Sequence, residues 1–149
     1  MASAKRARMA PLPGRNEDSR LTEKRILVVE DEATTRLILA YALRREGYVV
    51  DTVVGAAAAA KRLEAPLPYE LVLTDWLLPD GSGTEIADAA VMLGTKALII
   101  SGALHRLPDG ADERYELLPK SLGPAEIVAA VRQAIGSPTE NASAPASPL

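Results

Sequence analysis

Short apolar runs alternate with amphipathic stretches along most of the chain. Residues 25–29 (RILVV) are continuous and apolar, as in a strand buried on both faces of a parallel sheet. Residues 33–46 bring Ile38, Leu39, Ala42 and Leu43 onto one helical face and leave Arg36, Arg44 and Arg45 for water, with Gly47 as the stop. A second strand is predicted over 48–54 and an alanine-rich helix over 56–64, ended by Pro66 and Pro68. Leu71, Val72 and Leu73 lead into a central strand that ends at Asp75, followed by a Pro79-Asp80-Gly81 turn.

The second half repeats the pattern. A short helix is predicted over 83–93, with Ile86, Ala90 and Leu93 on one side. A fourth strand over 97–100 ends at Ser101 and Gly102. Residues 103–114, with His105, Pro108, Asp109 and Gly110, are too broken and polar for a full helix. A fifth strand over 116–118 ends at Pro119 and Lys120. Pro119 lacks an N–H and favours an edge position. The last helix, 124–135, has Pro124 in its first turn and Ile127, Val128, Val131 and Ile135 on its apolar face. Strand–helix alternation with right-handed crossovers gives an α/β fold, a doubly wound five-stranded parallel sheet with helices on both faces.

Composition narrows the function. The 149 residues suit one domain, 25–136, between a flexible basic arm (1–24) and a Ser/Ala/Pro-rich tail (137–149) expected to be disordered. A net charge of -3 gives no argument for nucleic acid as the main partner. With no cysteine and one histidine, disulfides, thiolate metal sites and imidazole-rich zinc sites are excluded or disfavoured. No apolar run approaches the roughly 18 residues of a membrane span, and no signal peptide is evident, so a cytoplasmic location is expected.

In a parallel sheet the carboxyl ends of the strands share one edge, where open α/β folds place their chemistry. Glu30 and Asp31 follow the first strand, Asp75 ends the third, Ser101 the fourth and Lys120 the fifth. A turn or a hydrated acidic rim accounts for any one of them. Together they are a set with one chemistry. Crowded carboxylates repel one another, and a hard divalent cation such as Mg²⁺ relieves that repulsion with oxygen ligands. A lysine and a hydroxyl beside a metal-bound aspartate fit phosphoryl transfer onto the carboxylate.

On these residues the stretch of roughly 24–136 resembles a response-regulator receiver domain. The resemblance rests on Glu30-Asp31-Glu32, on Asp75 with Pro79 and Gly81, on Ser101-Gly102 and on Lys120. It implies a flavodoxin-like strand order, 2-1-3-4-5. It also implies that Asp75 accepts phosphate from a histidine kinase or histidine phosphotransfer protein. Asp31, Asp75 and the carbonyl of Leu77 would bind Mg²⁺ directly, and Glu30 through a water. Ser101 and Lys120 would hold the phosphoryl oxygens.

Four departures from the family pattern carry expectations. Ser121 replaces the usual proline after the lysine, so a trans Lys120–Ser121 bond and some displacement of the lysine are expected. Leu117 stands where many receivers carry an aromatic switch, and Tyr115 is not equivalent to it. The fourth helix is expected to be shortened or irregular. Leu77 and Ala103, both apolar, cannot orient water, so slow self-dephosphorylation is expected. Trp76 is expected to pack in the core and His105 to be a surface residue. The chain is read as a stand-alone regulator with no DNA-binding module, acting through a downstream protein target. Two rivals remain: a receiver-fold docking module that takes no phosphate, and a phosphatase of the haloacid-dehalogenase kind. The latter wants an aspartate where Leu77 stands.

Overall fold

The computed structural model describes residues 23–66, 68–102, 110 and 115–138. The element order is β1 (Arg25–Val29), α1 (Ala33–Glu46), β2 (Val49–Val53), α2 (Ala56–Leu63), β3 (Leu71–Asp75), β4 (Leu77–Leu78), β5 (Gly81–Ser82), α3 (Gly83–Met92), β6 (Lys96–Ser101), β7 (Glu116–Pro119) and α4 (Pro124–Ile135). Five strands form one parallel sheet, β2-β1-β3-β6-β7. This is the expected order, because β4 and β5 form only a small antiparallel hairpin after Asp75. Pro119 does lie on an edge strand. The expectations for the fourth helix, Ala103, His105 and most of both tails fall outside the described residues.

The apolar runs bury both faces of the sheet. Ile26, Val28, Leu71, Leu73, Leu98 and Ile100 meet Leu39 and Leu43 of α1 and Ile127, Val128 and Val131 of α4. The alternate residues Leu27, Val29 and Val72 meet Ala59 of α2 and Ile86 and Ala90 of α3. Trp76 packs against a small cluster of Ala87, Ile99 and Tyr115, as a core residue should.

Helix ends are specified locally. The carboxylate of Glu32 accepts from the Thr35 amide at 2.7 Å and caps α1. Gly47 ends it at φ 113°, a left-handed conformation that favours glycine. Glu126 accepts from the Gly123 amide at the start of α4.

Four expectations need correction. Ile38 and Leu93 are exposed, not buried. Ile38 lines a groove between α1 and α4, and Leu93 lies past the last turn of α3. Arg36 is only half-exposed and its guanidinium donates to a backbone carbonyl, whereas Arg44 faces water as expected while also donating to the Val50 carbonyl. Lys24, placed at the end of the flexible arm, is buried. Its ammonium donates to the carbonyl of Ile135 at 2.6 Å. Lys96 reaches Ala134 and Tyr48 reaches Gly136 in the same way, so three side chains hold the carbonyl end of α4 at the amino edge of the sheet.

Candidate functional site

The parallel register brings the predicted residues to the opposite edge. Asp75 pairs with Ile100, and Ser101, one residue on, pairs with Pro119. The amide of Lys120 donates to the Ser101 carbonyl at 2.9 Å, which holds the backbone at the root of the lysine side chain. Ser101 is buried. No cis peptide occurs among the described residues, so Lys120–Ser121 is trans. The expected displacement does not take the amine out of reach. Lys120 Nζ stands 3.0 Å from Asp75 Oδ2 and 3.4 Å from Glu30 Oε1.

Glu30, Asp31 and Asp75 each present a carboxylate oxygen within 4.8 Å of the others. Glu30 is almost wholly buried, at 1% exposure, Asp75 is buried and Asp31 is exposed. Glu30 Oε2 accepts from the Glu32 amide at 3.1 Å, whereas the buried Oε1 has no hydrogen bond. Burial pushes the Glu30 carboxyl above the usual carboxylate range. The charge of Asp75 adds to the rise, while the Glu32 amide and Lys120 oppose it. Partial burial works to lower the Lys120 amine, but Asp75 and Glu30 hold the ammonium and raise it above its ordinary value.

Three carboxylates face one ammonium, so the cluster lacks positive charge. The buried Glu30 Oε1 meets the Lys120 ammonium only at ion-pair distance and makes no hydrogen bond, which leaves its desolvation incompletely offset. Hard oxygen donors from two strand ends, one with a spare lone pair, match the ligand preferences of Mg²⁺. The residues present therefore fit that ion. Leu77 begins the β4–β5 hairpin two residues beyond Asp75, its side chain 60% exposed.

Several residues that shape this edge were not singled out from sequence. The Arg36 guanidinium donates to the carbonyls of Glu30 (3.0 Å) and Asp31 (3.4 Å). The rule that helical side chains lean toward the N-terminus could have found it. Asp80, read only as a turn residue, accepts from the amides of Ala56 (2.6 Å) and Ala57 (3.0 Å). It caps α2 from a distance of 24 positions. Gly83 makes the tightest approach: a Cβ there would lie 2.2 Å from the carbonyl oxygen of Asp75. Its own amide donates to the Trp76 carbonyl at 2.7 Å, which sets α3 directly against the end of β3.

The profile of the response regulator receiver domain matches residues 26–132. Among curated proteins, the phosphate regulon transcriptional regulatory protein PhoB of Escherichia coli is 31% identical over 119 residues, covering 73% of this chain and 50% of PhoB. The transcriptional regulatory protein CutR of Streptomyces coelicolor is 36% identical over 116 residues, covering 72% of this chain and 52% of CutR. The chain thus spans about half the length of these relatives. Among solved structures, the response regulator TrrA of Thermotoga maritima, in complex with Mg²⁺-BeF, superposes with a TM-score of 0.66 at 30% identity. That match covers 74% of this chain and 98% of TrrA. A receiver protein from Sinorhizobium medicae gives 0.64 at 25% identity, covering 76% and 95%. The profile runs from the second residue of β1 into the last turns of α4, so it takes in the whole sheet and its acidic edge, and the chain belongs to the response-regulator receiver family of two-component systems.

Proposed function

We propose that Asp75 is a phosphoacceptor, taking its phosphoryl group from a histidine kinase or histidine phosphotransfer protein. The observation that carries this reading is the Lys120 ammonium, 3.0 Å from the Asp75 carboxylate inside a cluster of three acids. A carboxylate oxygen of Asp75 attacks phosphorus, the phosphorus–nitrogen bond of the donor phosphohistidine breaks, and an aspartyl phosphate forms. Lys120 pairs with the arriving phosphoryl oxygens in place of the Asp75 charge, and the hydroxyl of Ser101 binds another of them. Asp31, Asp75 and the carbonyl of Leu77 would hold Mg²⁺ directly, with Glu30 acting through a water. The ion, when bound, neutralises charge on the phosphoryl oxygens.

Leu37, Ile38 and Tyr41 leave an apolar strip of α1 exposed, with Ile38 lining a groove that also reaches Lys120. That strip supports phosphate delivery, and output, by contact with another protein.

Incubation with acetyl phosphate and Mg²⁺ followed by intact mass measurement tests the reading. Wild type is expected to gain one phosphoryl group, and Asp75→Asn none. An unmodified wild type would leave only a docking module. Sustained release of phosphate from simple esters would instead favour the phosphatase, although an apolar Leu77 stands where that chemistry needs an acid.

A further inference from the structure

The acidic loop between β1 and α1 is held by more than its own hydrogen bonds. The Glu30 amide donates to Val53 and the Glu32 amide to the Glu30 carboxylate. Both remaining carbonyls of the acidic pair, those of Glu30 and Asp31, turn toward one group, Nη1 of Arg36. With its backbone tied in this way, the loop presents its two carboxylates toward Asp75.

Arg36 lies in the first turn of α1, where the helix dipole disfavours a cation. No acidic residue occupies that turn. The guanidinium has no carboxylate in hydrogen-bond contact among the described residues, and its recorded acceptors are the two carbonyls. Glu32, the acidic N-cap four positions earlier, is spaced to offset that cost, yet the guanidinium bonds to the two carbonyls instead. The position therefore calls for another account, and the two carbonyls supply one.

We infer that Arg36 is a positioning residue for divalent-cation binding. It orients Glu30 and Asp31 through their backbone and touches neither the cation nor phosphate. The inference rests on the proposal that Glu30, Asp31 and Asp75 hold a cation. It also has a sign that separates it from simple electrostatics. A positive charge near the site opposes cation binding, so removing Arg36 would tighten binding on charge alone. Weaker binding in its absence reports lost positioning.

Arg44 provides the control. It lies on the same helix, carries the same charge and donates to a backbone carbonyl, that of Val50 at 2.8 Å, but away from the cluster. The experiment is a Mg²⁺ titration of the 149-residue wild type, Arg36→Ala, Arg36→Lys and Arg44→Ala, read by Trp76 fluorescence and by calorimetry, with the melting temperature of each measured alongside. Loss of a partner that orients metal ligands typically weakens affinity by about 10- to 100-fold. Arg36→Ala is expected to bind about tenfold more weakly. The lysine ammonium ends one bond short of the Nη1 position that meets both carbonyls, so Arg36→Lys is expected to fall between the two. Arg44→Ala is expected to match wild type in affinity whatever its melting temperature.

Equal affinity in all four proteins would overturn the inference, as would an equal loss in Arg36→Ala and Arg44→Ala. If Arg36→Ala does not fold, Arg36→Lys decides: affinity equal to wild type overturns the inference and a clear loss supports it. A wild type that shows no saturable response to Mg²⁺ would remove the cation site itself and, with it, any role for Arg36.

Discussion

Leu77 stands two positions after Asp75, the proposed acceptor, and carries an exposed isobutyl group; on that proposal it lies beside the water that would hydrolyse an aspartyl phosphate. An apolar group accepts no proton and orients no water. The phosphorylated protein is therefore expected to lose its label slowly, over minutes or longer. Leu77→Asn is expected to shorten the half-life several-fold without preventing phosphorylation, as followed by the decay of the phosphorylated mass after acetyl phosphate is removed. A wild-type half-life of seconds would contradict this. At this scale the sequence named the acids, the hydroxyl and the amine, because each ends a recognisable strand. It did not reveal Arg36, Lys24 or Asp80. Their partners are backbone groups, carbonyls for Arg36 and Lys24 and amides for Asp80, which no pattern of side chains can flag.

Elements were legible in proportion to their periodicity. β1, α1 and α4 have the expected bounds, since each is marked by a continuous apolar run or by a cap. Helix α3 stops a residue early, and the apolar residues at its end, Val91, Met92 and Leu93, are exposed. An apolar count cannot tell a buried face from an exposed one at a helix terminus. Helix α2 shows the converse. Its N-cap, Gly55, has no side chain to offer, and the cap comes from Asp80 across the fold. A Cβ on Gly55 would lie 2.7 Å from the Asp80 carboxylate, so the glycine makes room for its substitute. Those two amides hold the Asp80 carboxyl below its ordinary value of 3.8. The folded group titrates below the unfolded one. Its stabilising contribution is therefore complete above the ordinary value and is lost as pH falls through the folded one. Asp80→Ala is expected to melt lower than wild type near neutral pH. The gap should narrow steadily below about pH 4. A gap independent of pH would show that the charge on Asp80 contributes nothing.

At the scale of the molecule the two edges of the sheet have different tasks. The carboxyl edge gathers the acids and Lys120. The amino edge fastens the last helix, through Lys24, Lys96 and Tyr48 on three successive carbonyls. Lys24→Met would leave the Ile135 carbonyl without its buried, charged donor. The expected cost is about 1.5–3 kcal/mol, the range for hydrogen bonds to charged groups. Urea unfolding measures it, and the loss should leave phosphorylation by acetyl phosphate unchanged. The fold class followed from alternation and handedness, and the strand order from the resemblance to receiver domains. This fastening did not, because it joins residues 111 positions apart.

The buried Glu30 carboxylate, with one oxygen left without a hydrogen bond, also bears on how the protein can change. The like charges of buried Glu30 and Asp75 oppose compaction, so the domain carries a built-in tension at the edge proposed to accept phosphate. Replacing one of these acids by a neutral isostere relieves that tension while it weakens the grip on a cation. Sturdiness and competence pull in opposite directions there, and variants chosen only for heat resistance would drift toward a silent receiver.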